Sequence, residues 1–183
     1  MGQRAWIAAS IALVIGAAAA LMAMGRPWLC ACGHLDLWGQ VGPEQSQMLA
    51  DWYSPSHVIH GILFYAIAWK LWPRWSRGAR FVAALAVEIG WELVENTPLI
   101  IDRYREATMA LGYTGDSIVN SMSDVAMMAL GFVAARFAPL WVSVVAVIAL
   151  ELTALVAVRD NLTLNVLMLV APVEAVAEWQ TRA

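Results

Sequence analysis

Charge is scarce in this chain. Of 183 residues, 14% are Asp, Glu, Lys or Arg, while 61% are apolar. Soluble domains carry about 25% charged residues, so a water-soluble globule is disfavoured and a helical membrane bundle is favoured. Basic residues are few as well, 11 against 14 acids, for a net charge of −3. With no basic stripe, no aromatic–basic interleaving and no zinc-finger spacing, the chain offers nucleic acid no footing. Cysteine is limited to Cys30 and Cys32, in Cys30-Ala31-Cys32-Gly33-His34. Two thiols and one imidazole are one ligand short of a closed tetrahedral metal site. A small metal or redox site and a pair of plain loop cysteines, oxidised or not, stay open as readings. A lipoprotein role for Cys30 is disfavoured by the large Leu29 before it. Also missing are a Gly-rich phosphate loop, a Walker motif, a serine-hydrolase elbow and a His-Glu-x-x-His pair. Haem is not indicated, since no i, i+4 histidine pair lies on an apolar span, and no repeat or low-complexity tract is present.

What the chain does have is long apolar runs. Residues 5–24 are long enough to cross a hydrocarbon core of about 30 Å. Arg4 before this run and Ala17–Ala20 within it allow a signal peptide, but its length favours an uncleaved first helix. Further spans are expected at 56–72, 81–101, 117–137 and 139–158. Residues 161–173 form a short segment, read as a tilted sixth span with a re-entrant or interfacial alternative. One integral membrane domain, all-α and polytopic, with five to six segments, thus covers 1–183. Many of the ten tryptophans flank these runs, as headgroup-level indoles do. Ser54 and Pro55 read as N-cap and first residue of the second span.

Lys70, Arg74, Arg77 and Arg80 cluster between the second and third spans with no acid among them. By the positive-inside rule that link is cytoplasmic. The N-terminus is then cytoplasmic too, 25–55 is a periplasmic loop, 102–116 is a second outer loop, and the protein belongs to a bacterial inner membrane.

The stretch from Glu88 to Asp124 carries the chemistry. At helical spacing Glu88, Glu92, Glu95, Asn96 and Asp102 share one face, and Asp116, Asn120 and Asp124 share another. An ionisable group in hydrocarbon costs roughly 2.5–3.5 kcal/mol on insertion scales, so such groups usually face a bundle interior or a wet cavity. At 1.5 Å per residue, His57, His60, Glu92, Glu95, Asn120, Asp124 and Glu151 all fall within about 14 Å of the outer ends of their spans. Glu88 lies deeper. Agreement in depth favours one cavity open to the outer face. Packing by interhelical hydrogen bonds explains Asn120, Ser121 or Ser123, but clustered carboxylates repel unless a proton or a cation sits between them.

Glu92, Glu95, His60 and Asp124 are therefore the candidate acid–base residues. Asn96 and Asn120 are candidates for orienting a substrate, with Arg103 and Arg105 at the mouth to hold a phosphate or carboxylate. His57, His60, Glu92, Glu95 and Asp124 together make a candidate divalent-metal set of mixed imidazole and carboxylate ligands. Asp116 reads as the N-cap of the fourth span.

Four motifs, taken together, resemble a family of uncharacterised proteobacterial multi-pass inner-membrane proteins. They are Cys30-x-Cys32-Gly33, Asp51-Trp52-Tyr53-Ser54-x-Ser56-His57-x-x-His60-Gly61, Glu88-x-x-Trp91-Glu92-x-x-Glu95-Asn96 and Gly115-Asp116-Ser117-x-x-Asn120-Ser121-x-x-Asp124. The resemblance covers nearly the whole chain and implies no activity. A looser one, over roughly residues 56–135, is to VanZ-like membrane proteins, through His60, Glu92 or Glu95, and Asp116 with Asn120. Ser56-His57 stands where those proteins usually have Asp-Lys, and Glu95-Asn96 replaces their glutamine. The implied role in the cell envelope is an analogy.

The functional expectation is an envelope enzyme or binding protein for a lipid-linked or phosphorylated headgroup. A proton- or cation-coupled transporter and a non-catalytic assembly subunit are the alternatives. Expected partners are membrane lipids, with a membrane-protein partner or a second copy of the chain left open.

Overall fold

A computed structural model describes residues 2–108 and 112–181. The described residues form eight α-helices and one 3-10 turn, with no strand. In chain order the helices are α1 Gln3–Ala23, α2 Ser54–Leu71, α3 Arg77–Glu95, α4 Pro98–Ala107, α5 Ile118–Phe137, α6 Leu140–Val158, α7 Leu162–Val170 and α8 Glu174–Thr181. The 3-10 turn, Gln45–Gln47, lies in the long α1–α2 connection. The all-α expectation is met.

Helices α1, α5 and α6 are long and apolar enough to cross a membrane by length and composition. Most of the side chains on α1 and α6 face outward, including Ile7, Ile11, Ile15, Trp141, Val145, Ile148 and Val156. Water would penalise such a surface and a lipid chain would not, which associates the protein with a membrane.

The centre of the bundle is the contact between α2 and α5. Gly61 of α2 leaves no room for a side chain, because a Cβ there would overlap the Met128 carbonyl. Reciprocally, a Cβ on Gly131 of α5 would overlap the Val58 carbonyl. Backbones that touch in this way exploit small residues, the usual device for packing helices in membranes. Below the contact a buried apolar core gathers Ala17 from α1, Ala84, Leu85 and Ile89 from α3, and Val125, Met128 and Phe132 from α5.

Helix ends follow local chemistry. Ser76 caps α3 through Ala79 N–H at 3.2 Å, and Ser117 caps α5 through Asn120 N–H at 3.1 Å. Asp116 is therefore not the cap of α5. The hydroxyl one residue nearer the helix takes that position and frees Asp116 for other partners. Nor is Ser54 the cap of α2: the Asp51 carboxylate accepts from the N–H groups of Tyr53 at 2.7 Å and Ser54 at 3.2 Å.

The expected 81–101 span ends early, at Glu95. Thr97 is extended (φ −78°, ψ 150°) and Pro98 opens α4. A residue before proline is driven out of the helical region, so the chain turns here. Asp102 consequently leaves the Glu88–Asn96 face and is exposed on α4, where it pairs with Arg105 at 3.2 Å. Residues 109–111 of the expected outer loop lie outside the described residues.

The tilted sixth span is not what 161–173 forms. Helix α7 has nine residues, about 14 Å at 1.5 Å per residue, too short to cross. Glu151, expected to share the cavity, instead accepts from Leu162 N–H at 3.0 Å and Thr163 N–H at 3.2 Å. A carboxylate at a helix N-terminus satisfies orphan donors there, so Glu151 holds the α6–α7 turn.

Candidate functional site

Helices α2 and α5 both begin, and α3 and α6 both end, at the same end of the bundle. The 25–53 connection folds over that end. Pro27 and Trp28 carbonyls accept from Ile118 and Val119 N–H, two donors of α5 with no intrahelical partner. Asn120 Nδ2 donates to Met48 O at 3.0 Å, and Gln47 Nε2 donates to Gly115 O. Gly115 takes φ +89°, and a Cβ there would strike the Arg26 guanidinium, which itself donates to Asp116 O at 2.9 Å and Thr114 O at 2.8 Å. Loop and helix start are thus one stitched unit.

Beneath this cover lies a cavity of about 160 Å³. Its polar lining includes Asp51, Glu95, Asp116, Asp124, His57 and His60, and none of the residues lining it is Lys or Arg. An apolar flank is supplied by Val41, Pro43, Trp91, Val158, Leu162 and Val166.

Behind the lining histidines Glu88, 0% exposed, bonds both of them. Its Oε1 lies 2.6 Å from His57 Nδ1 and its Oε2 lies 3.1 Å from His60 Nδ1. An ionised carboxylate only accepts, so each Nδ1 must carry the proton, which leaves each Nε2 a free lone pair when the ring is neutral. His57 Nε2 then faces Asp124 Oδ2 at 3.8 Å, while its Nδ1 is 3.5 Å from Glu92 Oε1. Asp124 Oδ1 accepts from Ser54 Oγ at 2.9 Å. Glu92 is 1% exposed, and its Oε1 has no hydrogen-bond partner. His57, Glu92 and Glu95 each offer a ligand atom within 4.8 Å of the others, as do His57, His60 and Glu88.

The expected convergence of His57, His60, Glu92, Glu95 and Asp124 is thus present in the geometry. Asn120 lines the cavity, but its amide is committed to Met48. Asn96 locks rather than lines: its Nδ2 donates to Asp116 Oδ2 at 2.7 Å and its Oδ1 accepts from Asp116 N–H at 2.8 Å. The arginines are not at the site. Arg103 Nε donates to Leu169 O at 2.9 Å and ties α4 to α7, and Arg105 pairs with Asp102 on the surface. Both sit on the short helix created by the break at Pro98, which turns them away.

Several lining residues were not candidates from sequence. Glu88, in step with Glu92 at i−4, is not itself a lining residue but stands behind the two lining histidines. Tyr104 and Tyr113 come from beyond the α3–α4 break, and no local signal announces them. Tyr113 donates to Asp116 Oδ1 at 2.9 Å. Burial pushes the Asp116 carboxyl up to about 6, against the downward pull of its bonds from Asn96 and Tyr113. Burial also raises Asp51, against the N–H groups it accepts from Tyr53 and Ser54. Cys30 and Cys32 are joined in a disulfide, so neither offers a thiolate to a metal.

A family model described as protein of unknown function (DUF2585) matches residues 21–182. A UPF0314 protein of Rhizobium etli is 51% identical over 180 residues, covering 97% of this chain and 92% of the relative. Its counterpart in Sphingopyxis alaskensis is 50% identical over 182 residues, 98% of this chain and 96% of the relative. That of Agrobacterium fabrum is 50% identical over 177 residues, 96% of this chain and 89% of the relative. No solved structure matches the chain.

Proposed function

We propose, for a chain that belongs to the DUF2585 family, a multi-pass inner-membrane protein whose cavity receives the polar headgroup of a lipid-linked molecule from the periplasmic leaflet. The family description assigns no activity, so the reading rests on the cavity. One observation carries it: a carboxylate- and imidazole-lined hollow with an apolar flank, at one end of a bundle that otherwise exposes apolar surface. A polar head fits the first lining and an acyl or prenyl stem fits the second.

Sidedness is supported by charge. Arg4, Lys70, Arg74, Arg77, Arg80 and Arg136 all lie near helix ends opposite the cavity, and no acid occurs over residues 52–87 or 125–150. Under the positive-inside rule that end is cytoplasmic and the cavity periplasmic. Helices α2 and α3 are the remaining spans on this reading, since α2 packs closely on α5 and both α2 and α3 contribute to the apolar core around it.

With Arg103 and Arg105 turned away, a bare phosphate would meet only negative charge. A phosphorylated headgroup therefore enters together with a cation, whereas a cationic headgroup enters unaided. Transport across the membrane is less well supported. From Glu88 toward the cytoplasmic end the buried core is Ala84, Leu85, Met128 and Phe132, all apolar, which offers no polar relay among these residues.

The test is lipid analysis of protein purified in mild detergent. One headgroup class should be enriched about tenfold over the bulk membrane, equivalent to about 1.4 kcal/mol of preference. Glu95→Gln and Trp91→Ala should abolish that enrichment while the protein stays monodisperse. Bulk lipid composition on the wild-type protein would defeat the reading. Enrichment unchanged in both variants would move the site elsewhere.

A further inference from the structure

We propose that one divalent transition-metal ion of the zinc, manganese or iron(II) class binds beside the cavity where His57, Glu92 and Glu95 converge, ligated by those three residues, with Glu88 orienting the imidazole. Three independent observations meet here. The first is the imidazole. Glu88 occupies Nδ1 of His57 at 2.6 Å and so presents Nε2 as the ligating atom, the carboxylate–histidine arrangement that commonly stands behind a metal-bound imidazole. The second is spacing. Asp124 Oδ2 stands 3.8 Å from Nε2 and adds negative charge beside the ligands. Glu92 and Glu95 offer oxygens within 4.8 Å of a His57 nitrogen and of each other.

The third is the unpartnered atom. Glu92 is 1% exposed, and its Oε1 has no donor. Buried carboxylate oxygens are rarely left so, and a cation is the partner that three converging carboxylates call for. Mixed imidazole and carboxylate ligation suits zinc, manganese and iron(II) better than the soft, thiolate-seeking metals.

His60 is not a ligand here. Its Nδ1 binds the other oxygen of Glu88, so His60 and Glu88 brace His57 from behind. The inference rests on the headgroup reading only for the ion's task, which is to hold a headgroup oxyanion that the carboxylates alone would repel.

The experiment is elemental analysis of the full chain, purified without chelator, alongside thermal scans with added Zn²⁺, Mn²⁺ or Fe²⁺. About one ion per chain is expected, together with a rise in melting temperature on metal addition. Glu92→Gln and His57→Gln should lower occupancy at least about tenfold and remove that rise. Glu88→Gln, a positioning change, should weaken metal affinity about 10–100-fold and spare the ligands themselves. Less than about a tenth of an ion per chain in the wild type, with no thermal response to any of the three metals, overturns the proposal. So does equal occupancy in wild type and Glu92→Gln. Headgroup enrichment that persists in metal-free protein sinks the ion's task of holding the headgroup, whereas a bound ion without lipid enrichment sinks the headgroup reading alone.

Discussion

Gly61→Leu should leave no folded bundle. Even a Cβ at this position would overlap the Met128 carbonyl and crowd the Phe132 backbone nitrogen. Neither is the tip of a flexible side chain, so α2 and α5 must separate. Overpacking by one or two methylenes typically costs about 1–3 kcal/mol, and leucine adds more than that. Native proteins hold only about 5–15 kcal/mol in total. Gly61→Ala should therefore survive with a loss of about 1–3 kcal/mol, and Gly61→Leu should aggregate on extraction, read by size exclusion and protease resistance. Gly90 on α3 is the control, since a Cβ there meets nothing within 4 Å. Gly90→Ala should be neutral or stabilise by up to about 1 kcal/mol, the ordinary helix preference. The same substitution has opposite signs at two helical glycines because only one of them is a contact between backbones.

Glu88→Ala is the second large effect. It removes the acceptor shared by the buried His57 imidazole and the half-buried His60, leaving both Nδ1–H groups without that partner. Removing one member of a buried charged pair costs about 3–5 kcal/mol. Glu88→Gln keeps one carbonyl acceptor and should cost less, about 1–3 kcal/mol. Thermal unfolding in detergent separates the two. A His57→Phe, His60→Phe, Glu88→Leu triple variant should recover much of the loss, because apolar groups of similar volume leave none of the three positions unsatisfied. Equal stability of Glu88→Ala and wild type would mean that the carboxylate makes no interaction with the histidines.

Much of this site was legible in the sequence, because helical periodicity and membrane depth are both linear in residue number. His57 and His60, Glu88, Glu92 and Glu95, and Asn120 with Asp124 could be assigned to faces and depths before any tertiary contact was known. What periodicity could not supply is where a face stops. Asp102 stays in phase with Glu95 only if the helix continues, and Thr97-Pro98 ends it. The Thr97-Pro98 dipeptide carries that signal within an otherwise apolar run. Glu151 had the right depth but the wrong direction. Its partners, Leu162 and Thr163, become neighbours only once Arg159 turns the chain with φ 54°. Tyr104 and Tyr113 reach the cavity because α4 folds back, a tertiary event that leaves no local mark. Asp116 and Ser117 were both able to cap α5, and only the geometry of Asn96 decides between them.

The central claim is that acids and imidazoles from α2, α3 and α5 share one hollow open to the periplasm, and thiol labelling tests it most directly. Glu95→Cys, Leu85→Cys and Trp75→Cys would be made singly, with Cys30 and Cys32 left paired, and exposed to a membrane-impermeant maleimide in cells with a permeabilised outer membrane. Glu95→Cys should label from outside, Leu85→Cys should not label from either side, and Trp75→Cys should label only after the inner membrane is opened. Outside labelling at position 75, or none at position 95 from either side, would contradict the account.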